Sequence, residues 1–351
     1  FEAAMVRHTR QLIHWWLDEL WSAAAAAVHS WRHSPEWPLL AVSKLLLASS
    51  ALHWLGFRLA RFGLIFAPTE WEGRTGWRKP MLFGVSNAMV FGALAKGLAA
   101  QSVMPRATSA HAAAWSTAVE VAVITVQSWR GQPSHFNTST RVDAALYAAK
   151  LTGVTILGVV CLATAAGCVL RCQHTSAPDR AALRCGLLLL SCAVLVGFGQ
   201  VAYGHSLLPR ADSEITEQEC RRVTVDVAGA PCYEVYGEAL LKILHFVPLH
   251  STEPLLLLSW ASVRAGRSER QSLRSVHHAA AGLALLTLAS TWQVARAGKL
   301  SLPGLARLDL EPPAALMVVA GTLAVLLAFG EVALAPLGPG MALATTSRKK
   351  G

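Results

Sequence analysis

Charged side chains are scarce in this sequence. Asp, Glu, Lys and Arg make up 15% of its 351 residues, whereas a soluble globular domain carries about 25%. Hydrophobic residues reach 53%, and the mean hydropathy is +0.41. The apolar residues fall in blocks of the ~20 residues that a helix needs to cross roughly 30 Å of hydrocarbon. The composition therefore excludes an ordinary soluble domain and predicts an integral membrane protein.

The apolar blocks also lack the alternation of polar and apolar residues that is typical of membrane β-strands. None is visible, for example, between Leu183 and Tyr203. Because lipid offers backbone groups no hydrogen-bond partner, the spans must then be helices. The sequence predicts an all-α, polytopic transmembrane helical bundle. Eight spans are predicted, each with ends uncertain by several residues, at about 38–60, 80–103, 110–129, 144–170, 182–204, 237–263, 275–296 and 313–335.

No internal repeat and no soluble domain of any size is evident, which favours one transmembrane helical domain over residues 38–336. Residues 1–37 place leucines and tryptophans at helical spacing between charges, which predicts an amphipathic interfacial helix. Residues 337–351 are predicted to form a basic cytoplasmic tail. A cleavable signal peptide is not recognisable. The start at Phe1 rather than Met leaves open whether further residues precede it.

The formal net charge is +10, but Lys and Arg are not gathered with aromatic residues along one stripe, as nucleic-acid binding requires. The lipid bilayer, with its anionic headgroups, is the predicted partner, and nucleic acid is not. No CxxC pair occurs, and five of the seven cysteines lie in or beside apolar blocks as small core residues. Cys220 and Cys232 share the polar connection 205–236 and are predicted to form a disulfide if it faces an oxidising compartment.

Basic residues are distributed unevenly between the two sides of the predicted bundle. The connection between the sixth and seventh spans carries four arginines, and the chain ends with Arg348, Lys349 and Lys350. By the positive-inside rule this side is cytoplasmic, with the C-terminus. The acidic connection 205–236 lies on the opposite side. The predicted location is the inner cell membrane, crossed several times.

Polar residues within the predicted spans gather in the outer, non-cytoplasmic half. A charge at mid-membrane costs at least ~2.5–3.5 kcal/mol on insertion scales, so each such residue needs a partner or a function. Glu120 and Gln127 share one helix face, although bridging between helices is the alternative explanation for them. The candidate catalytic residues are Lys79, Glu120, Gln127, Arg130, Ser134 and Asn137. The candidate cofactor-binding residues are His53, His135, His245 and His250, of which the last three are also the candidate metal ligands.

Pro248 lies between His245 and His250. On a straight helix these histidines would be about 140° apart and could not approach one ion together. A proline removes a helical hydrogen bond and bends the helix, so we expect Pro248 to bring both towards the His135 loop. The alternative is that the two histidines are satisfied separately.

Several of these motifs together resemble a group of uncharacterised bacterial multi-pass membrane proteins. The resemblance covers residues 75–300 and rests on Lys79-Pro80 with Phe83, on Glu120, on Gln127 with Arg130-Gly131 and Ser134-His135-Phe136-Asn137, and on His245-Phe246 with Leu249-His250. It implies a multi-pass membrane fold and supports the candidate site residues. It implies no activity.

The sequence favours one function and leaves a second as the alternative. The first is a membrane-embedded enzyme or redox protein, in which the histidines bind haem b or a divalent metal and the carboxylate and amides act as acid, base or supporting groups. The absence of close zinc-ligand spacings weakens a zinc hydrolase of lipids. The second is an ion- or proton-coupled small-molecule transporter, for which Pro248 supplies the broken helix. A receptor or scaffold is a third possibility, with little loop surface for recognition.

Overall fold

The computed structural model describes residues 34–67, 76–173, 175–207, 240–297 and 310–333, with residues 18, 22 and 69. Every regular element in these ranges is a helix, so the all-α prediction is confirmed for them. The helices are α1 Trp37–Arg61, α2 Arg78–Ala100, α3 Arg106–Trp129, α4 Arg141–Arg171, α5 Ala177–Leu207, α6 Leu240–Leu249, α7 Thr252–Arg264, α8 Glu269–Ala297 and α9 Pro312–Ala333. The N-terminal interfacial helix, the basic tail and Cys220 with Cys232 lie outside the described residues.

Five of the described helices, α1, α2, α4, α5 and α9, are long and apolar enough to cross a membrane. The sequence predicted eight spans at these positions and at α3, at α6 with α7, and at α8. Helix α3 carries Glu120, and the α6–α7 segment is interrupted after Leu249. The helices therefore support a multi-pass membrane protein, and the topology of eight spans stays a prediction.

Short turns connect α2 to α3, α4 to α5 and α7 to α8, and a loop of eleven residues, 130–140, connects α3 to α4. The turn after α2 and the turn after α4 meet through an isolated bridge between Gln101 and Cys172, so both lie at one end of the bundle. The opposite end, where α1 and α3 finish and α2 and α4 begin, is called the site end here. His53 near the end of α1 contacts Trp77 before α2 and Trp129 at the end of α3, with ring centroids 6.2 and 5.9 Å apart.

Small residues allow close helix crossings in both halves of the bundle. A Cβ atom on Gly282 of α8 would lie 2.6 Å from the carbonyl oxygen of Gly321 on α9. A Cβ on Gly186 of α5 would likewise lie 2.6 Å from the Cα of Thr252, at the start of α7. Such contacts between small residues are a usual way for membrane helices to pack. They hold α7 against α5 and α9 against α8.

Two large apolar cores lie between the described helices, and a smaller one lies between α8 and α9 around Ala289 and Ala314. One lies among α1 to α5 and includes Phe91, Leu94 and Leu187, all fully buried. The other joins α5, α7, α8 and α9 around Leu255 and Leu258. Helix α5 contributes to both cores. Leucines and valines are also exposed along most helices, as lipid-facing surfaces require.

Candidate functional site

Helices α3 and α4 face each other with a register that pairs their polar residues. They approach closely at Gly153, where an added Cβ would lie 2.6 Å from the carbonyl oxygen of Ser116. One turn nearer the site end, Glu120 of α3 is opposite Lys150 of α4, close enough for their charges to interact. Two turns further, the Gln127 amide donates to the Asp143 carboxylate at 2.9 Å. The antiparallel register therefore aligns two polar pairs of equal spacing.

Asp143 is the centre of a hydrogen-bonded group that we call the loop cluster, made of Gln127, Arg130, Asn137, Thr140 and Asp143. Asp143 is 1% exposed. Its carboxylate accepts from the Arg130 guanidinium at 2.7 Å and from the Thr140 hydroxyl at 2.6 Å. Its backbone N–H donates to the Thr140 side chain at 3.1 Å, which caps the N-terminus of α4. Asp143 thus holds α3, the loop and α4 together.

The loop from Arg130 to Thr140 owes its shape to these bonds. Gly131 ends α3 with φ +65°, a left-handed conformation that glycine adopts without strain. Asn137 donates to the Pro133 carbonyl at 3.3 Å and accepts from the Ser139 hydroxyl at 2.7 Å. Phe136 is 1% exposed and has φ +54°, which is rare for a residue with a side chain. Gln127, Arg130 and Asn137, predicted as catalytic residues, therefore shape and anchor this loop.

A second group, the charge cluster, comprises Lys79, Glu120, His135 and Lys150. Lys79, Glu120 and Lys150 are 8%, 6% and 3% exposed. Both lysines lie within electrostatic reach of the His135 imidazole. The Lys150 ammonium is also 5.2 Å from the centre of the Tyr147 ring. The predicted residues Lys79, Glu120 and His135 are thus together, and Ser134, 3% exposed, lies 3.0 Å from His135 Nδ1.

Burial lowers the pKa of His135 well below 6.5, and the positive charges of Lys150 and Lys79 lower it further. In the unfolded chain the imidazole binds a proton near pH 6.5, and in the folded protein it stays neutral. The unfolded state then holds more protons, so stability falls as the pH drops below about 6.5, by up to ~1.4 kcal/mol per pH unit. A neutral His135 can accept a proton or a hydrogen bond.

We expect the His135→Asn variant to lose part of the acid sensitivity of the wild-type protein. The midpoint of thermal unfolding, measured in detergent between about pH 5 and pH 7.5, should fall less steeply with acidification in the variant, because asparagine does not titrate. The exposed histidine His277 provides the control. A His277→Asn profile that changes as much as the His135→Asn profile would contradict the assignment.

The interrupted segment α6–α7 carries the remaining histidines. Pro248 lies inside the last turn of α6, which ends at Leu249, and α7 begins at Thr252. His245 Nδ1 donates to the Ala193 carbonyl of α5 at 2.8 Å. His250 Nε2 is 2.7 Å from the Ser86 hydroxyl of α2. The two histidines are therefore directed to different helices.

The expected metal site of His135, His245 and His250 is not found. Among the described residues, no group of three or more His, Cys, Asp or Glu side chains could hold a metal ion. The bend at Pro248 does not turn His245 and His250 to one point, since one contacts α5 and the other contacts α2. These three residues therefore do not fit one shared metal ion.

His53, the fourth candidate cofactor ligand, is 4% exposed at the site end. Its Nδ1 donates to the Ser49 carbonyl of its own helix at 2.7 Å. Its ring stacks on Trp129 with centroids 5.9 Å apart. These contacts join the ends of α1 and α3, beside the loop cluster rather than within the charge cluster.

Three polar residues of the site were not predicted. Asp143 and Lys150 are seven residues apart, as are Glu120 and Gln127, and this shared spacing on two consecutive helices could have indicated that they face each other. Ser86 lies seven residues after Lys79, on the same face of α2, and contacts His250. Within their own predicted span, however, Asp143 and Lys150 lie near its start and resemble charges at the membrane interface.

Comparisons with protein-family models, with curated proteins and with solved structures give no match to this chain. The resemblance to a group of bacterial multi-pass membrane proteins therefore stays a prediction. The charge cluster, the loop cluster and the α6–α7 interruption are the features of the described residues that bear on function.

Proposed function

We propose that this chain is an eight-span protein of the inner membrane that couples the movement of a small molecule across the bilayer to the movement of an ion or proton. In this topology α6 and α7 form one interrupted span, and α3 and α8 are spans with polar faces. The end of the bundle that carries Arg264, Arg267, Arg270 and Arg274 is cytoplasmic. The site end faces outward.

The interruption of the α6–α7 span is the observation that carries the proposal. The break follows Leu249, ten residues into a segment of about 25 residues. At about 1.5 Å per residue, the ten described residues of α6 put the break at least ~15 Å from the outer end of the span, and the 13 residues of α7 put it ~20 Å from the other end, so it lies within the hydrocarbon in this topology. Broken helices whose free ends lie at the bilayer midplane are typical of the binding sites of secondary transporters.

Polar contacts at three depths along α2 support a path through the bundle. Lys79 of the charge cluster is at the site end, and Ser86 contacts His250 at the break. At the opposite end the Lys96 ammonium lies 2.8 Å from the Asp179 carboxylate of α5. Asp179 also accepts from the Ser259 hydroxyl of α7 at 2.6 Å. Helices α2 and α7 thus share polar groups from the middle of the bundle to its cytoplasmic end.

An enzyme or redox protein is the second candidate, and the charge cluster favours it. A buried carboxylate, a buried lysine and a neutral imidazole are a set that can hold and move protons during a reaction on a lipid or small-molecule substrate. Haem b or a divalent metal would require other ligands than the three histidines tested above. The transporter proposal needs no such group, and it accounts for the break.

Electrical recording from reconstituted protein on a solid-supported membrane tests the proposal. Separate pulses of amino acids, sugars, carboxylic acids and nucleosides are applied to the wild type and to the His250→Ala variant. We expect at least one class to evoke a transient current, which His250→Ala abolishes because the break loses its contact with Ser86. The His277→Ala variant, which alters an exposed histidine of α8, should retain the current.

An absorption spectrum and a metal analysis of the same purified protein separate the two candidates. Currents without a Soret band or stoichiometric metal support the transporter. A Soret band or a stoichiometric metal, with no current from any class, would contradict the transporter and favour the enzyme.

A further inference from the structure

The first turn of α7 contains a carboxylate without a hydrogen-bond partner among the described residues. Both oxygens of Glu253 are enclosed and unbonded, and the Nδ1 atom of His250 is likewise unbonded. Glu253 Oε1 and His250 Nδ1 are 3.7 Å apart, and the two side chains are 17% and 10% exposed. The neighbouring Thr252 hydroxyl, on a fully buried residue, also has no partner in the described part of the chain.

The surroundings of Glu253 contain no charge that compensates it within the described residues. Helix α4 brings the Cys161 thiol within electrostatic reach. Helix α2 presents Ser86 here, while Lys96 of that helix is paired with Asp179 at the cytoplasmic end. His245 donates to the Ala193 carbonyl and lies within electrostatic reach of His250. Glu331 is directed to Arg267, and His277 and His278 lie on the exposed face of α8.

We propose that the His250–Glu253 pair at the α6–α7 break binds the proton that drives transport. This inference rests on the proposed function, and it names the coupling ion. A proton on Glu253 removes an uncompensated charge from the bilayer interior, where an isolated carboxylate is costly. The proton binds to the Glu253 carboxylate, and His250 Nδ1, 3.7 Å away, is a nearby imidazole nitrogen that can receive it, while His250 Nε2 contacts the Ser86 hydroxyl. The step is the transfer of a proton alone, and no bond between heavy atoms forms or breaks.

The donor set favours a proton over an alkali or alkaline-earth cation. Hard cations take six or more oxygen ligands in the well-studied cases, from carboxylates, carbonyls and waters. The group closest to Glu253 across the break is an imidazole nitrogen, which binds protons readily. The unbonded oxygens of Glu253 and Thr252 are too few in the described residues to form such a shell.

Movement of the break would change the access of this pair. Helix α7 contacts α5 closely at Gly186, and Ser259 of α7 is bonded to Asp179 near the cytoplasmic end of α5. Helix α6 is joined to α5 separately, through His245. The two halves of the span are thus held by different contacts, with the proton-binding pair at their junction. A change in the Asp179 contacts would shift α7 without requiring α6 to follow.

Infrared difference spectroscopy of the reconstituted protein tests this inference directly. A protonated carboxylic acid has a carbonyl stretching band that shifts in heavy water and that a carboxylate lacks. We expect this band in the wild-type protein during a pH titration, and a loss of the Glu253 component in the Glu253→Gln variant, whereas any component from the buried carboxyl of Glu120 stays. The control is Glu331→Gln, which should keep the band because Glu331 is an acceptor for Arg267 and Ser275 at 3.1 Å.

Each outcome decides a separate part of the inference. Absence of the band from the wild type, or an unchanged band intensity in Glu253→Gln, would overturn the proton site. If Glu253→Gln does not fold, a His250→Asn variant serves instead, and an unchanged pH dependence of its band would equally overturn the proton site. A Glu253 band together with no current from any solute would leave the proton site standing and contradict the transporter. Currents that Glu253→Gln retains would remove the coupling role.

Discussion

Replacement of Glu120 by leucine is expected to lower the free energy of unfolding by about 3–5 kcal/mol. Glu120 and Lys150 are 6% and 3% exposed on facing helices, so the substitution removes from a buried lysine a negative charge with which it interacts. Breaking a buried ion pair on one side is costly because the remaining charge has lost its compensation. Unfolding by increasing fractions of denaturing detergent in bicelles gives the free energy.

The double variant Glu120→Leu with Lys150→Met separates the pair from the two side chains. It removes both charges, so we expect it to be more stable than the sum of the single effects predicts, by about 0.5–3 kcal/mol. Val119→Leu, on the exposed side of α3, is the matched control and should change little. Strictly additive effects would show that Glu120 and Lys150 do not act as a pair.

Replacement of Asp143 by alanine should have the next largest effect, a loss of about 3 kcal/mol. Hydrogen bonds to charged groups contribute about 1.5–3 kcal/mol each, and their unpaired partners remain partly buried. The Asp143 carboxylate accepts from Gln127, Arg130 and Thr140. The same unfolding measurement applies, and the rate of proteolysis within residues 130–140 should rise because the loop loses its anchor.

Thr138→Ala provides the control for that measurement, since Thr138 is exposed in the same loop and should tolerate the change. Asp143→Asn should recover part of the loss, because its amide oxygen can still accept one hydrogen bond from Arg130 or Gln127. Equal stability of the wild type and Asp143→Ala would show that the loop is held by other contacts.

The sequence predicted that polar residues converge at one end of the bundle, and the structure brings several of them together. Glu120 and Gln127 share a helix face by spacing, and the short connection from Arg130 to Thr140 keeps its motif at the same end. What spacing along one helix could not give was the register of α4 against α3. That register is set at Gly153, where the absence of a side chain allows the Ser116 backbone to approach. This register places Asp143 opposite Gln127 and Lys150 opposite Glu120.

The roles within the loop motif were harder to predict than its position. Gln127, Arg130 and Asn137 have polar side chains suited to catalysis, yet each is used to hold the loop or the start of α4. The same side chain chemistry serves both purposes, so residue type alone does not distinguish them. Partner atoms do, because a group whose hydrogen bonds are taken up within the fold has fewer left for a substrate.

The break near Pro248 was predicted, but its consequence was not. A proline bends a helix in a direction that depends on the packing of its neighbours. Here His245 donates to the Ala193 carbonyl of α5, and His250 contacts the Ser86 hydroxyl of α2. The sequence contains these partners but no pattern that connects them to residues more than fifty positions away. For this reason the three histidines do not meet at one point, and no metal-holding group is found among the described residues.

The proposed transport requires that the region around Ser86 and the α6–α7 break open in turn to each side of the membrane. Reaction of a cysteine with a membrane-impermeant thiol reagent tests it most directly. Ser86→Cys is placed in a chain whose seven native cysteines are replaced, and is labelled in right-side-out and in inside-out vesicles. Ser43→Cys is the control, because Ser43 is 9% exposed on α1, where its hydroxyl is 3.5 Å from the Ala88 carbonyl. We predict that Ser86→Cys reacts from both sides and Ser43→Cys from neither, and a Ser86→Cys that reacts from neither side would contradict transport through this region.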